Sequence, residues 1–345
     1  MSSLRSSRRD ALARAAVLMA APFARAQKSG AQSRRKPPVD ELVNLFEFEE
    51  VAGLTLPSAA YTAIAGGDRM AVDRITFRPR MCVPTVDLDL TVDIFGKHFT
   101  PLIVGPIAEQ RQYYPDGELA TVRGASAAQV GVILTGRSSV PIREIAAAAR
   151  IPLWYSVYAD GNPDTPTQIQ EAVGAGCTVV CITLGGGSSN SRASSPSRAW
   201  DVVDQLRKAV HVPIVIKGVM TSEDAHNAIA HGARAMVVSN HGETSSRAAA
   251  PLDVLPSIVD AVQGKATVLV DGSFRRGSDV LKALILGAQG VLVARPVMWG
   301  LAAYGAEGVQ AVLQMLQGDL ARQMGAIGAR SLESLNRDML RIHRG

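Results

Sequence analysis

Three cysteines, Cys82, Cys177 and Cys181, are all that 345 residues contain. They are too few and too irregularly spaced for a disulfide framework or a cysteine-built zinc site, so free thiols and no metal are expected. Cys177 and Cys181 fall on one expected strand, ~13 Å apart along it, a gap no disulfide spans. Charge is scarce too, at 19% of residues, and aromatics scarcer, at 5%. A chain so lightly charged and 47% hydrophobic is not disordered; it has the apolar material for a large core. Yet no apolar run approaches the ~18 residues of a bilayer span.

Acidic residues are nearly missing from one place only. Residues 1–36 hold nine Lys and Arg against a single acid, Asp10. That segment carries +8 of a chain whose net charge is +5, so everything after Lys36 sums to −3. The bulk of the chain is not basic, and a nucleic-acid partner is not expected. The basic start has its own pattern. Ser7-Arg8-Arg9 precedes the Ala-rich stretch Ala11–Phe23, and Ala24-Arg25-Ala26 follows. That order describes an export signal over residues 1–26, of the twin-arginine type, which places the protein in a bacterial periplasm with no membrane span once the signal is removed. Asp10 and Arg14 depart from that pattern, and a basic tail on a cytoplasmic protein is the alternative. Residues 27–38 read as a basic linker, and 39–345 as one domain.

From Leu102 onward, short apolar runs alternate with Ala-rich segments of helical length. The runs are Leu102–Val104, Val132–Leu134, Leu153–Val157, Val179–Leu184, Ile214–Ile216, Ala235–Val238, Val268–Val270 and Val291–Val293. Strands this uniformly apolar are buried on both faces, as in a parallel sheet wrapped by helices. Helices are expected at 118–128, 142–149, 167–175, 199–209, 222–230, 252–262, 279–286 and 309–316. Eight strands, each followed by a helix, count out an α/β fold of the (β/α)8 TIM-barrel type. An open dinucleotide-binding sheet would need G-x-G-x-x-G after a strand, and Gly185-Gly186-Gly187 does not supply it. Ahead of the barrel, 39–53 and 57–65 read as helices. Val92–Ile94 and His98–Thr100 read as a hairpin able to plug the N-terminal face.

In such a barrel chemistry belongs at the C-terminal ends of the strands. Lys217 ends the fifth strand and His241 follows the sixth. A buried, unpaired ammonium is costly, so packing alone does not account for Lys217. After the last two strands, a Gly/Ser-rich turn carrying Arg275 and then Arg295 forms a grip suited to a phosphate. Taken singly, Arg275 and Arg276 also read as helix caps or solvated charges, and His241 as a loop histidine. Their placement on one rim is what points to a site.

These residues stand in longer strings: Ile214-Val215-Ile216-Lys217-Gly218, Ser239-Asn240-His241-Gly242, Asp271-Gly272-Ser273-Phe274-Arg275-Arg276-Gly277 and Arg295-Pro296. Phe77-Arg78-Pro79-Arg80, Pro115-Asp116-Gly117-Glu118 and Trp299-Gly300-Leu301-Ala302 accompany them. From about Leu45 to the C-terminus the chain resembles the FMN-dependent α-hydroxy acid dehydrogenases and oxidases, of the glycolate oxidase, lactate oxidase and mandelate dehydrogenase type. The resemblance implies FMN over the barrel mouth, its phosphate held by Gly272, Ser273, Arg275, Ala294 and Arg295 and its ribityl chain by Asp271. It places Ser239, Thr135 and Thr183 along the flavin, with Pro106, Ile107 and Ala108 beneath the ring. Lys217 would stabilise reduced flavin, His241 would be the base, and Tyr61 the active-site tyrosine. Arg192 would hold the substrate carboxylate. A homotetramer is implied by the same analogy.

The departures gather around the substrate. Thr244 stands where a second carboxylate-binding arginine is expected, leaving Arg247 as its stand-in. Trp154-Tyr155-Ser156 replaces a Gln-x-Tyr that supplies a flavin-edge glutamine and a substrate tyrosine. Gly185 replaces the aspartate that pairs with the catalytic histidine. The expectation is oxidation of a small 2-hydroxy acid, such as a lactate, glycolate or mandelate, to the 2-oxo acid. The electron acceptor, oxygen, quinone or cytochrome, is left open. A flavoenzyme of the same fold with a different substrate, or a catalytically silent FMN-binding protein, are the alternatives.

Overall fold

The computed structural model describes residues 36–78, 87–185, 196–242 and 249–343. The chain divides into two compact units, Met1–Pro38 and Val39–Gly345. The expected export signal and most of the linker lie outside the described residues, as do Cys82, Arg192, Thr244 and Arg247.

The second unit opens with a helical extension: α1 (Leu45–Thr55), α2 (Ser58–Ile64) and α3 (Met70–Asp73). The helix expected over 39–53 is broken over 42–44: a short 3-10 turn, Val39–Glu41, ends before it, and Asn44 has an extended backbone. Its side-chain oxygen accepts from Phe46 N at 3.0 Å and Glu47 N at 3.3 Å, capping α1. Strand β1 (Ile75–Phe77) then pairs antiparallel with the last strand of the chain, Leu340–Ile342. The expected hairpin is present as β2 (Val92–Asp93) and β3 (Lys97–His98).

The barrel strands follow: β4 (Leu102–Val104), β5 (Gly131–Thr135), β6 (Leu153–Tyr158), β7 (Val179–Thr183), β8 (Ile214–Val219), β9 (Ala235–Val238), β10 (Thr267–Asp271) and β11 (Gly290–Val293). They close in the order β10-β11-β4-β5-β6-β7-β8-β9, with every pair parallel. A helix follows each: α4 (Glu118–Ala127), α5 (Ile142–Ala148), α6 (Thr165–Gly174), α7 (Pro196–Lys208), α8 (Ser222–Ala230), α9 (Pro251–Val262), α10 (Gly277–Ile285) and α11 (Arg295–Ile327). The fold is the (β/α)8 barrel. Its last helix is far longer than the expected 309–316, and its backbone leaves helical values at Tyr304 and Gly305.

Two apolar layers hold it together. The larger lies between strands and helices; the smaller fills the barrel and contains Ile103, Ile133, Trp154, Cys181, Val215, Val237, Leu269 and Leu292. The hairpin contributes Ile94 to that inner layer, with Phe95 packed on it and 6.0 Å from the Trp154 ring. The N-terminal face is thus plugged, leaving the C-terminal mouth for chemistry. Cys177 and Cys181 are free and buried, and burial pushes their thiols up to about 12 and about 11. Burial thus disfavours the thiolate at both.

Candidate active site

Strand alternation builds the site. Inward-facing apolar residues line the barrel, and two positions on from each, the same face emerges at the mouth. Ile133 leads to Thr135, Trp154 to Ser156 and Tyr158, and Cys181 to Thr183. In the same way Val215 leads to Lys217, Val237 to Ser239, and Leu269 to Asp271. The sheet register sets these side by side: Thr135 opposite Ser156, Tyr158 opposite Thr183, and Thr183 opposite Lys217.

Lys217 is buried but compensated. Its Nζ donates to Ser239 Oγ at 2.9 Å and lies 3.2 Å from Asp271 Oδ2, while Ser239 Oγ donates to that same oxygen at 3.0 Å. The closed triangle gives the buried Lys217 ammonium two oxygen partners at the mouth, which offset its desolvation. His241 N donates to Ser239 Oγ at 3.2 Å, so the triangle also fixes the turn carrying the imidazole. That turn is left-handed at His241 (φ 59°). The imidazole lies over Gly185, where a Cβ would come 3.4 Å from Nε2. The implied aspartate position therefore does border the histidine, and here it holds no side chain.

A cationic corner lies across β10 and β11. Arg275 is buried, donating to Phe274 O at 3.0 Å and Gly66 O at 2.7 Å, with its guanidinium 4.6 Å from the centre of the Trp299 ring. Burial, then the charge of Arg295, pushes it well below the usual arginine range. A Cβ at Gly67 would meet Arg275 Nη2 at 2.8 Å, Ser273 Oγ at 2.9 Å and Arg295 Nη1 at 3.3 Å. Two guanidiniums and a hydroxyl thus converge on one small cradle. Like charges held together out of water are stabilised by an anion, and a phosphate dianion suits two such forks.

One cavity of about 290 Å³ joins the corner to the histidine, near the lower edge of small-molecule sites. Pro106, Ile107, Ala108, Thr135, Thr183, Lys217, His241, Asp271, Gly272, Ser273, Arg275, Ala294 and Arg295 all line it, and Ser239 supports it from behind. Tyr61 is not brought to it. Its ring lies against Gly53 of α1, near Glu49 and Glu50, and α2 instead offers Ala63 and Ile64 to the cavity. Two positions along a helix turn a side chain by ~200°, which puts Tyr61 on the opposite face from Ala63. A tyrosine is nevertheless present: Tyr158 lines the cavity, correcting the expectation that the strand end had lost one. Period-two continuation from Trp154 was the signal for it. Arg137, also unanticipated, lines the cavity after β5. Among the described residues, no group of three or more His, Cys, Asp or Glu is placed to hold a metal ion, and no helix is long and apolar enough to cross a membrane.

A plugged barrel whose mouth joins a phosphate corner to a histidine and a paired lysine defines a cofactor-dependent enzyme of the phosphate-binding barrel class. The family model for FMN-dependent dehydrogenases matches residues 63–192 and 185–342. The L-lactate oxidase of Nostoc sp. is 32% identical, over 87% of this chain and 98% of its own. The 4-hydroxymandelate oxidase of Amycolatopsis orientalis is 33% identical, over 86% and 97%. A mandelate oxidase crystallised with (S)-2-phenylpropionate superposes with a TM-score of 0.79 at 34% identity, over 87% of this chain and 98% of that one. The chain belongs to the FMN-dependent dehydrogenase family. It is an oxidoreductase, and FMN is its cofactor. The cradle at Ser273, Arg275 and Arg295 fits the cofactor's phosphate.

Proposed function

We propose that the protein oxidises a small 2-hydroxy acid to the corresponding 2-oxo acid, with His241 as the base. The observation that carries this reading is the shared cavity: His241 and the Lys217–Asp271 pair stand at the same mouth as the phosphate corner. Bound FMN would supply the acceptor for the electron pair that leaves the substrate's carbinol carbon. Arg275, Arg295 and Ser273, with Gly272 and Ala294 beside them, would hold its phosphate; Pro106, Ile107, Ala108, Thr135 and Thr183 would line the flavin, Ser239 would support it from behind, and Asp271 would meet the ribityl chain. Lys217 keeps a fixed positive charge beside the place where negative charge accumulates on reduction. The His241 imidazole takes the substrate proton, and the rigid Ser239 turn holds it in place to do so. Tyr158 takes the substrate-facing role assigned to Tyr61 from sequence. Arg192 and Arg247, both outside the described residues, complete the reading as the carboxylate contacts that the resemblance implies.

The test is a visible spectrum of the purified holoprotein before and after anaerobic addition of lactate, glycolate or mandelate. Bleaching of the flavin supports 2-hydroxy acid oxidation; a stable spectrum with all three favours a different substrate or a silent flavoprotein. Reoxidation of the reduced protein by oxygen, a quinone or a cytochrome then identifies the acceptor, and sizing tests the tetramer. The Arg8-Arg9 leader supports export as a folded, flavin-loaded protein. Retention of the full-length chain in the cytoplasm with Met1 intact overturns that part.

A further inference from the structure

Among the described residues, one cation at the cavity is left unused by this chemistry. Arg137 follows β5, and His241 follows β9; in the closed order these strands stand four places apart in a ring of eight. The two side chains therefore enter the mouth from opposite sides. The other described cations around the cavity are engaged elsewhere: Lys217 with Asp271, and Arg275 and Arg295 at the phosphate corner. Arg137 Nη2 donates to Glu109 Oε1 at 3.0 Å, but the two side chains are 63% and 59% exposed. An ion pair this wet is weakly held, so a carboxylate arriving through the cavity can replace Glu109. The arginine's base is nevertheless fixed. Glu109 N donates to Arg137 O at 2.9 Å, and Arg137 N donates to Thr135 Oγ1 at 3.2 Å. Glu109 also holds a left-handed φ of 54°, which non-glycine residues seldom adopt without a local reason.

We propose that Arg137 determines specificity, and that the substrate is a 2-hydroxy acid carrying a second carboxylate at the end away from the carbinol carbon. The proposal rests on the oxidase reading above. With the carbinol at His241, a chain crossing the mouth brings its far end to the Arg137 fork, which matches a carboxylate bidentately. Glu109 occupies that fork until the substrate takes its place.

The experiment compares malate with 2-hydroxybutyrate, which puts a methyl group where malate has its second carboxylate, on the holoenzyme and on Arg137→Met and Glu109→Gln. The binding of succinate, which has no hydroxyl to oxidise, is followed by calorimetry on the same proteins. Malate is expected to have a KM about tenfold or more below that of 2-hydroxybutyrate. Arg137→Met should raise the malate KM and the succinate Kd about tenfold, with kcat changed less and 2-hydroxybutyrate unaffected. Glu109→Gln should lower both malate KM and succinate Kd. Equal effects of Arg137→Met on malate and 2-hydroxybutyrate, or no effect on malate and succinate, overturn the proposal while leaving the oxidase reading intact. Succinate binding that depends on Arg137 in a protein that oxidises neither acid supports the anion site and overturns the oxidase reading instead.

Discussion

At the level of single residues, the phosphate corner rests on two guanidiniums. Arg275→Ala and Arg295→Ala should each yield largely flavin-free protein, since each removes a charge-assisted contact worth about 1.5–3 kcal/mol. Full retention of yellow flavin in both variants would show that the phosphate sits elsewhere. Gly185→Asp should raise the rate of flavin reduction, because a carboxylate beside the imidazole favours its protonated form once the substrate proton has moved. The φ of 72° at Gly185 makes a side chain strained there, so a modest loss of stability should accompany the gain. A slower or unchanged reduction rate in a folded, flavin-loaded variant would show that the missing carboxylate is not limiting. The residues of the cofactor corner and of the Lys217 triangle were legible in the sequence, since each ends or closely follows a recognisable strand. Tyr61 was not, because a seven-residue helix does not declare which face it turns to the barrel. Tyr158 was legible in principle: it continues the inward face of Trp154 and Ser156, one residue beyond the end of the apolar run at Val157.

At the level of elements, the helical extension is bolted onto the phosphate corner. Asp279, 1% exposed, receives Arg69 Nη1 at 2.8 Å and Nη2 at 3.2 Å, and caps the turn by accepting from Arg275 N at 2.8 Å and Arg276 N at 3.0 Å. Trp299 Nε1 donates to Ile64 O at 2.9 Å, and Lys282 Nζ to Val72 O at 3.0 Å. Asp279→Ala should therefore weaken FMN binding without touching the cofactor, and destabilise the fold by about 1–3 kcal/mol, since Arg69 keeps Ser273 O and Asp73 while the turn's two N–H groups lose their acceptor. FMN titration of the refolded apoprotein and thermal melting measure the two effects; an unchanged Kd would mean that the extension does not shape the corner. The barrel strands were read from sequence to within a residue at each end, except β8, which runs three residues past the expected Ile216, because both faces of their inner stretch are buried and call for apolar residues. The last helix was not, because its break at Tyr304 and Gly305 interrupts the pattern on which periodicity depends. The pairing of β1 with Leu340–Ile342 joins the two ends of the domain and has no local signature at all.

At the level of the whole molecule, fold and cofactor are linked. FMN at a hundredfold excess over its Kd should stabilise the protein by about 2.7 kcal/mol, read as a rise in melting temperature that Arg275→Ala abolishes. The opposite face carries a pH dependence. Burial pushes His98 below its ordinary value of 6.5, against smaller upward pulls from the Ile94 carbonyl and Asp93. A base whose native value is depressed contributes its full stability above the ordinary value and loses it as pH falls through the native one. The melting temperature should therefore fall from pH 7 toward pH 5 more steeply in the wild type than in His98→Gln; parallel curves would show that the hairpin plug tolerates the charge. The central claim is that the barrel mouth oxidises a 2-hydroxy acid with His241 as base. It is tested most directly by mixing holoprotein anaerobically with excess 2-hydroxy acid and following the visible flavin band, in the wild type and in His241→Asn. The wild type should bleach, and His241→Asn should keep its FMN yet bleach at least ~100-fold more slowly. Bleaching at the wild-type rate in His241→Asn, or none in the wild type with any 2-hydroxy acid, would contradict it.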